Sequence, residues 1–354
     1  MREASKVFLH KLLSAPGPSG YEGPVRNVWK EEVGNYADEV TTDVHGNAIA
    51  SLGEKGFPRV MLAGHMDELG FQVIHIDEAG YLFFETIGGF DLSIVPGRKV
   101  RVHTKKGPIL GVLGKKPIHL MSPNERKKIP EKHDLWIDIG VVDGKEAKEI
   151  VSVGDPVTYD TNFEMLRNEM IVSRATDNKA GAWVVAEAMR RVAGSRKKSK
   201  ATLYSVATVQ EEIGLRGAKT SAYGIDPTIG IAVDVTWATD HPGIDKRKTG
   251  ECLLGGGPVI NRGANINPIV FDRLVSIAKN KKIPFQIMAE PGGTGTDANA
   301  LQLSREGVAA GLVSIPQRYM HTPVEIISLK DIDHCAQLLA YFVLNLKMND
   351  SFIP

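Results

Sequence analysis

The sequence has little of what marks a secreted, membrane or nucleic-acid-binding chain. Its 354 residues include only two cysteines, Cys252 and Cys335, in neither metal-ligand nor redox spacing; that excludes a disulfide framework and fits a reducing compartment. The first thirty residues hold no apolar run of signal-peptide type, and no stretch approaches the roughly 20 apolar residues that cross a bilayer. Charge of one sign is missing as well. With 43 basic against 42 acidic residues the formal net charge is +1, so no whole-chain field draws nucleic acid or anionic lipid. Phosphate cradles are absent: the runs Gly255–Gly257 and Gly292–Gly295 lack the Gly-x-Gly-x-x-Gly and Lys-Ser/Thr patterns. They read as pocket walls, with Thr296 and Asp297 as contacts to substrate. The expectation is a cytoplasmic protein without nucleic-acid or membrane partners.

What is present alternates. Short apolar runs at residues 59–63, 201–209, 229–235 and 308–315 are separated by helical segments such as Ala180–Val192 and Pro268–Asn280. This pattern predicts an α/β fold, a mostly parallel mixed sheet flanked by helices. Phe8, Leu9, Leu12 and Leu13 form one face of an N-terminal helix that Pro16-Gly17-Pro18 stops. From residue 71 to 167 the period changes to short alternating strands between Gly- and Asp-rich turns, which predicts an inserted all-β domain, a small barrel or sandwich. Residues 1–70 and 168–354 then make one discontinuous domain around it.

Five stretches each end an apolar run and carry a carboxylate or imidazole: Gly64–Glu68 (GHMDE), Arg174–Asn178 (RATDN), Gln210–Gly214 (QEEIG), Ala232–Val235 (AVDV) and Tyr319–Glu325 (YMHTPVE). Taken singly, most have an ordinary structural explanation. An isolated HMD or QEE is commonly a solvated turn, and Asp177 before a helix is commonly an N-cap. Asp234 resists that reading, because a carboxylate after five nonpolar residues of a central strand is costly unless paired or bound to a cation. Together, His65, Asp177, Glu212, Asp234 and His321 supply two imidazoles and three carboxylates. That donor set suits two divalent ions with a shared carboxylate and water, zinc first, with cobalt and manganese also fitting. Glu211, beside Glu212, is placed to act as general base. Asp67, two residues after His65, is placed to orient that ring. His75, His103, His119, His133, His241 and His334 lack clustered carboxylates and read as surface or structural; His119 lies in a long polar loop, Lys115–Lys128, suited to lining an entrance or reaching a neighbour.

The ordered set GHMDELG, ATDNKAG, VATVQEEIGLRGA, AVDVT, GGTGTDANA and RYMHTPVE, preceded by Ser19-Gly20-Tyr21-Glu22 and the Asp43-x-x-Gly46-Asn47 turn, resembles the dinuclear-metal aminopeptidases of metallopeptidase family forty-two. That family includes the tetrahedral (TET) and the glutamyl or deblocking types. The resemblance implies a zinc-peptidase-like fold and two divalent ions per subunit. It implies His65 and Asp234 on one ion, Glu212 and His321 on the other, Asp177 between them, Glu211 as base and Asp67 supporting His65. It further implies peptide substrates with a free N-terminus, a cis peptide after Asp177, and a homo-oligomer in which the inserted domain pairs subunits and dimers build a dodecamer. The pair Asn178-Lys179, where the family more often has Asp or Asn followed by Arg, and the longer Gly292–Asp297 stretch depart from the pattern. A dinuclear amidase or deacylase acting on small N-acyl compounds is the alternative that uses the same ligands.

Overall fold

The computed structural model describes residues 1–53 and 56–354. They divide into two compact units, one made of Met1–Glu68, Phe163–Met320 and Glu325–Pro354, the other of Leu69–Asn162 with His321–Val324. In chain order, helices α1 (Glu3–Ser14) and α2 (Gly23–Val33) precede strands β1 (Glu39–Thr42), β2 (Ala48–Leu52) and β3 (Arg59–His65). Strands β4 (Gly70–Ile76), β5 (Leu82–Ile87), β6 (Lys99–Thr104), β7 (Gly107–Lys115) and β8 (Leu135–Asp138), helix α3 (Gly144–Ile150) and strand β9 (Pro156–Tyr159) follow. The chain continues through β10 (Glu164–Met165), β11 (Met170–Ser173), α4 (Thr176–Ala193), β12 (Thr202–Thr208), α5 (Arg216–Ile225), β13 (Ile229–Trp237) and α6 (Lys246–Thr249). Last come β14 (Val259–Gly263), α7 (Pro268–Lys281), β15 (Gln286–Glu290), α8 (Asp297–Gln302), β16 (Ala309–Arg318), β17 (Glu325–Ser328) and α9 (Leu329–Leu344).

The first unit holds an 11-stranded mixed sheet in the order β1-β2-β12-β3-β13-β16-β17-β11-β10, with β14 and β15 branching from β16. Its centre is parallel: β12 with β3, β3 with β13, and β13 with β16. These strands are buried along almost their whole length, which is why they read as continuous apolar runs without alternation. Two Trp side chains join the helices α1, α2 and α4 to one another by burying their rings and satisfying their N–H groups: Trp29 donates to the Ala182 carbonyl and Trp183 to that of Ser5, both at 2.9 Å. Where α4 crosses β3, glycine is required. A Cβ on Gly64 would stand 2.5 Å from the backbone carbonyl carbon of Gly181. No helix among the described residues is long and apolar enough to cross a membrane.

The second unit is a closed barrel, β4-β5-β8-β7-β6-β9. Phe71 is at its centre, edge-on to Phe84 (ring centroids 4.9 Å apart) and to Tyr159 (5.3 Å). Ala147 and Val151, on and just after α3, join the same core. Two elements of this unit carry no signal in the strand pattern, β8 and α3. Strand β8 follows a polar loop and meets β5 only at Leu82 and Ile137, so it is short and carries little alternation of its own.

Candidate metal centre

His65 is the last residue of β3, registered beside Thr208 at the end of β12. Parallel strands that stop together leave their carboxyl ends facing a crevice, the usual ligand position of an open α/β sheet. Asp234 lies on neighbouring β13 and is buried, with one carboxylate oxygen accepting from the Val235 N–H at 2.8 Å.

Asp177 enters from the start of α4, where the backbone is irregular. Ala175 is left-handed (φ 59°), Asp177 and Asn178 are non-helical, and the Asp177–Asn178 peptide is cis. The N-cap position belongs to Ala175, so the capping alternative for Asp177 fails. Other groups hold the backbone there. Glu325 accepts from the Thr176 hydroxyl and the Asp177 N–H, each at 3.0 Å. Asn178 donates to the Val233 carbonyl at 2.7 Å, next to Asp234, and accepts from Gly181 N–H at 2.9 Å. Sequence reasoning missed Glu325 as a functional residue, although it closes the YMHTPVE stretch.

Around the His65 ring the carboxylates converge. Nε2 is 3.4 Å from Asp177 Oδ1, 3.7 Å from Asp234 Oδ1 and 3.8 Å from Glu211 Oε2; Nδ1 is 3.4 Å from Asp67 Oδ1 and 3.2 Å from the Asp67 carbonyl. In two groups, one ligand atom from each residue lies within 4.8 Å of the others: His65, Glu211 and Asp234, and His65, Asp177 and Glu212. Glu211 therefore stands as close to the ring as the residues expected to be ligands. His321 follows β16 in a turn where Tyr319 and His321 are both left-handed (φ 63° and 60°), and residues 321–324 group with the barrel unit.

Asp67 does more than the orienting role expected of it. Its Oδ1 accepts the Glu211 N–H at 3.0 Å, and its Oδ2 accepts the Glu212 N–H at 3.2 Å and the Ser19 hydroxyl at 2.7 Å. Glu68, the next residue, is wholly buried between Arg174 and Lys179, so the Lys179 departure from the family pattern is an internal ion pair. Asp297, expected as a substrate contact, is instead buried, with one oxygen accepting from the Thr208 hydroxyl at 2.6 Å and the other lacking any partner.

Electrostatics favour a cation among these residues. Burial pushes the Glu211 carboxyl up to about 10, with Asp234, Asp297 and Glu212 adding to the rise against the His65 charge. Burial and then Asp177 hold Glu212 well above the usual carboxylate range, burial raises Asp234, and burial lifts Asp297 to about 7. His65 is pushed the other way in effect: burial disfavours its charge, but the Glu211, Asp177, Asp234 and Asp67 carboxylates overcome that and raise it well above its ordinary value. One imidazolium cannot neutralise so many buried carboxylates. A multiply charged cation among these oxygens reverses the penalty, and the mixture of imidazole and carboxylate donors fits zinc, cobalt or manganese. By contrast, a cavity of about 570 Å³ in the barrel unit, lined by Lys115, Ile118, Met121, Arg126 and Trp136 among others, contains none of the candidate ligands.

Comparison with known proteins agrees with this geometry. The family model for M42 glutamyl aminopeptidases matches residues 46–338. The lysyl aminopeptidase of Pyrococcus furiosus is 38% identical over 98% of this chain and 99% of its own. A TET aminopeptidase from the marine sediment archaeon Thaumarchaeota archaeon SCGC AB-539-E09 superposes with a TM-score of 0.93 at 36% identity, covering 98% of this chain and 97% of that one. The TET1 peptidase of Pyrococcus horikoshii, which can assemble into a tetrahedron or a large octahedral shell, superposes with a TM-score of 0.86 at 32% identity, covering 97% of this chain and 100% of that one.

Proposed function

The chain belongs to the M42 glutamyl aminopeptidase family and hydrolyses N-terminal residues, and from that premise we propose that it does so with two divalent cations and Glu211 as general base. His65 and Asp234 would hold one ion, Glu212 and His321 the other, and Asp177 both. The observation that carries this reading is the single buried ring of His65 with the carboxylates of Asp177, Asp234 and Glu211 all within 3.8 Å of its Nε2. When bound, the ions supply Lewis acidity and a water of lowered pKa. Zinc suits the donor set first.

The chain's own groups then divide the work. Glu211 takes the proton of the attacking water and returns it to the departing amine, a role open to a buried carboxylate that stands 3.8 Å from the His65 ring beside Asp177 and Asp234. Asp67 fixes the His65 ring through Nδ1 and pins the backbone of both Glu211 and Glu212. The substrate class is peptides with a free N-terminus. Residues 1–70 and 168–354 form the catalytic part, and 71–167 form a subunit-pairing insertion, with dimers building a dodecamer. In support, Leu110 and Val112 stand exposed on the outer face of β7, with Ile118, Leu120 and Ile129 exposed on the loop that follows. The cytoplasm is the proposed location.

The test compares aminoacyl-anilides with their N-blocked counterparts in the presence of zinc, cobalt or manganese. An aminopeptidase cleaves only the first, whereas preference for the blocked series establishes an amidase or deacylase. In the same assay Glu211→Gln is expected to retain metal and lose about 10²–10⁴-fold in kcat, the usual contribution of a positioned acid-base group. Near-normal turnover removes Glu211 from its role.

A further inference from the structure

The Ser19-Gly20-Tyr21-Glu22 stretch has no part in the chemistry described so far, yet Ser19 and Glu22 are buried and are linked to the Gln210–Glu212 segment, Glu22 directly and Ser19 through Asp67. Three successive backbone N–H groups there are held by carboxylates. Gln210 donates to Glu22 Oε1 at 3.2 Å, Glu211 to Asp67 Oδ1 at 3.0 Å, and Glu212 to Asp67 Oδ2 at 3.2 Å. Ser19 in turn donates to Asp67 Oδ2 at 2.7 Å. Glu22 occupies the N-cap position of α2 but makes no cap to its own helix; its Oε1 accepts instead from Gly20 N–H at 2.7 Å and from Gln210. The turn has its own anchors: Tyr21 N–H donates to the Pro18 carbonyl at 2.7 Å, Gly20 takes φ 89°, and Pro18 bridges Glu68. Gln210 meanwhile is left-handed (φ 54°), a conformation a non-glycine residue keeps only when its surroundings impose it.

We propose that the Ser19–Glu22 turn is a positioning element for the Glu211–Glu212 pair, Ser19 acting through Asp67 and Glu22 through the Gln210 amide. Its burial and anchoring make it a rigid rest for a segment with no regular secondary structure of its own. Without it the two adjacent carboxylates would have no fixed divergence, and a displacement of the order of 1 Å at reacting groups costs about 10²-fold in rate. This rests on the roles assigned above to Glu211 and Glu212.

The experiment pairs steady-state kinetics with hydrogen exchange in chelator-stripped protein, read on the peptide containing residues 209–214. Ser19→Ala is expected to lower kcat by about tenfold or more, with KM and melting temperature little changed, and to speed exchange in that peptide. Ser19→Thr, which keeps the hydroxyl, restores both. Glu22→Ala behaves like Ser19→Ala, while Glu22→Gln stays near wild type, because both amides donate to one oxygen and an uncharged acceptor serves. Wild-type exchange and kcat in Ser19→Ala and Glu22→Ala overturn the proposal, as does a loss seen only in KM or equally in Glu22→Gln. The two readings separate cleanly. An active Glu211→Gln enzyme with accelerated exchange in Ser19→Ala removes the base and keeps the positioning, whereas an inactive Glu211→Gln enzyme with unchanged exchange in Ser19→Ala does the reverse.

Discussion

Replacing Glu68 by Gln should destabilise the protein far more than replacing Lys179 by Met, although the two form one ion pair. Glu68 Oε1 accepts from Lys179 Nζ at 2.6 Å and from Gly17 N–H at 2.9 Å, while Arg174 binds its other oxygen. Arg174 and Lys179 also donate to the Ser14 and Ala15 carbonyls, at 3.2 and 2.6 Å, so the cluster ties the end of α1 to the start of α4. Burial alone would raise the Glu68 carboxyl, but Arg174 and then Lys179 reverse that and hold it at about 2 instead of 4.5. At about 1.4 kcal/mol per pH unit, this is worth about 3 kcal/mol at neutral pH. Lys179 points the other way: burial lowers its ammonium from 10.5 to about 8 despite Glu68, so its charge is a cost to the folded state. The cluster as a whole is near break-even, and its single deletions are not symmetrical. Glu68→Gln leaves two buried cations and should lose about 3–5 kcal/mol, whereas Lys179→Met removes a costly charge and should lose less than about 2 kcal/mol. Urea unfolding of metal-free protein measures both. The sign of the pH dependence is a second check. A folded value below the unfolded one gives stability that is fully present above pH 4.5 and lost as pH falls towards 2, so the gap between wild type and Glu68→Gln should close over that interval. Equal stability of the two at pH 7, or a Lys179→Met protein weaker than Glu68→Gln, refutes the reasoning.

Gly64→Ala places a methyl 2.5 Å from the Gly181 carbonyl carbon; backbone cannot swing aside, so a loss of about 1–3 kcal/mol is expected, with weaker metal binding because His65 is the next residue. Unchanged unfolding and metal affinity would show that α4 lies more loosely on β3 than its position here. Asp177→Ala should leave the fold intact, since Glu325 still holds Thr176 and the backbone N–H of residue 177, but elemental analysis should find metal lost; full occupancy would remove Asp177 from the ligand set.

Most of the fold was legible because its period is strong. The parallel core strands and α4 and α7 announce themselves as apolar runs and helical stretches, and they form within a few residues of the expected limits. The strands at residues 259–263 and 286–290 were not read. They pair as a branch off β16 with half-exposed faces, so neither alternation nor a continuous apolar run marks them. Strand β8 escaped for a similar reason, since four residues hold too little pattern to stand out after a long polar loop.

At the centre, residue types pointed to His65, Asp67, Asp177, Glu211 and Asp234, which the structure brings together, but not to which backbone groups their oxygens would accept from. Asp67 shows why. Its proximity to His65 in the chain suggested a single partner, yet two of its contacts are backbone amides more than 140 residues away, and an amide donor leaves no trace in residue identity. Glu325 is hidden the same way, because it fixes Asp177 through that residue's N–H and the Thr176 hydroxyl. Both carboxylates serve as scaffolding for irregular backbone, where strands and helices supply no internal hydrogen bonds. A buried site built on such backbone needs acceptors for its N–H groups as much as it needs ligands. Glu325, whose Thr176 and Asp177 donors both meet one oxygen, is therefore expected to tolerate an amide side chain better than the carboxylates that face the His65 Nε2. Glu325→Gln should retain more metal affinity than Asp177→Asn or Asp234→Asn when each is titrated with zinc against a chelator, and the opposite ranking would mean that the charge of Glu325, and not its hydrogen bonding, is what the centre requires.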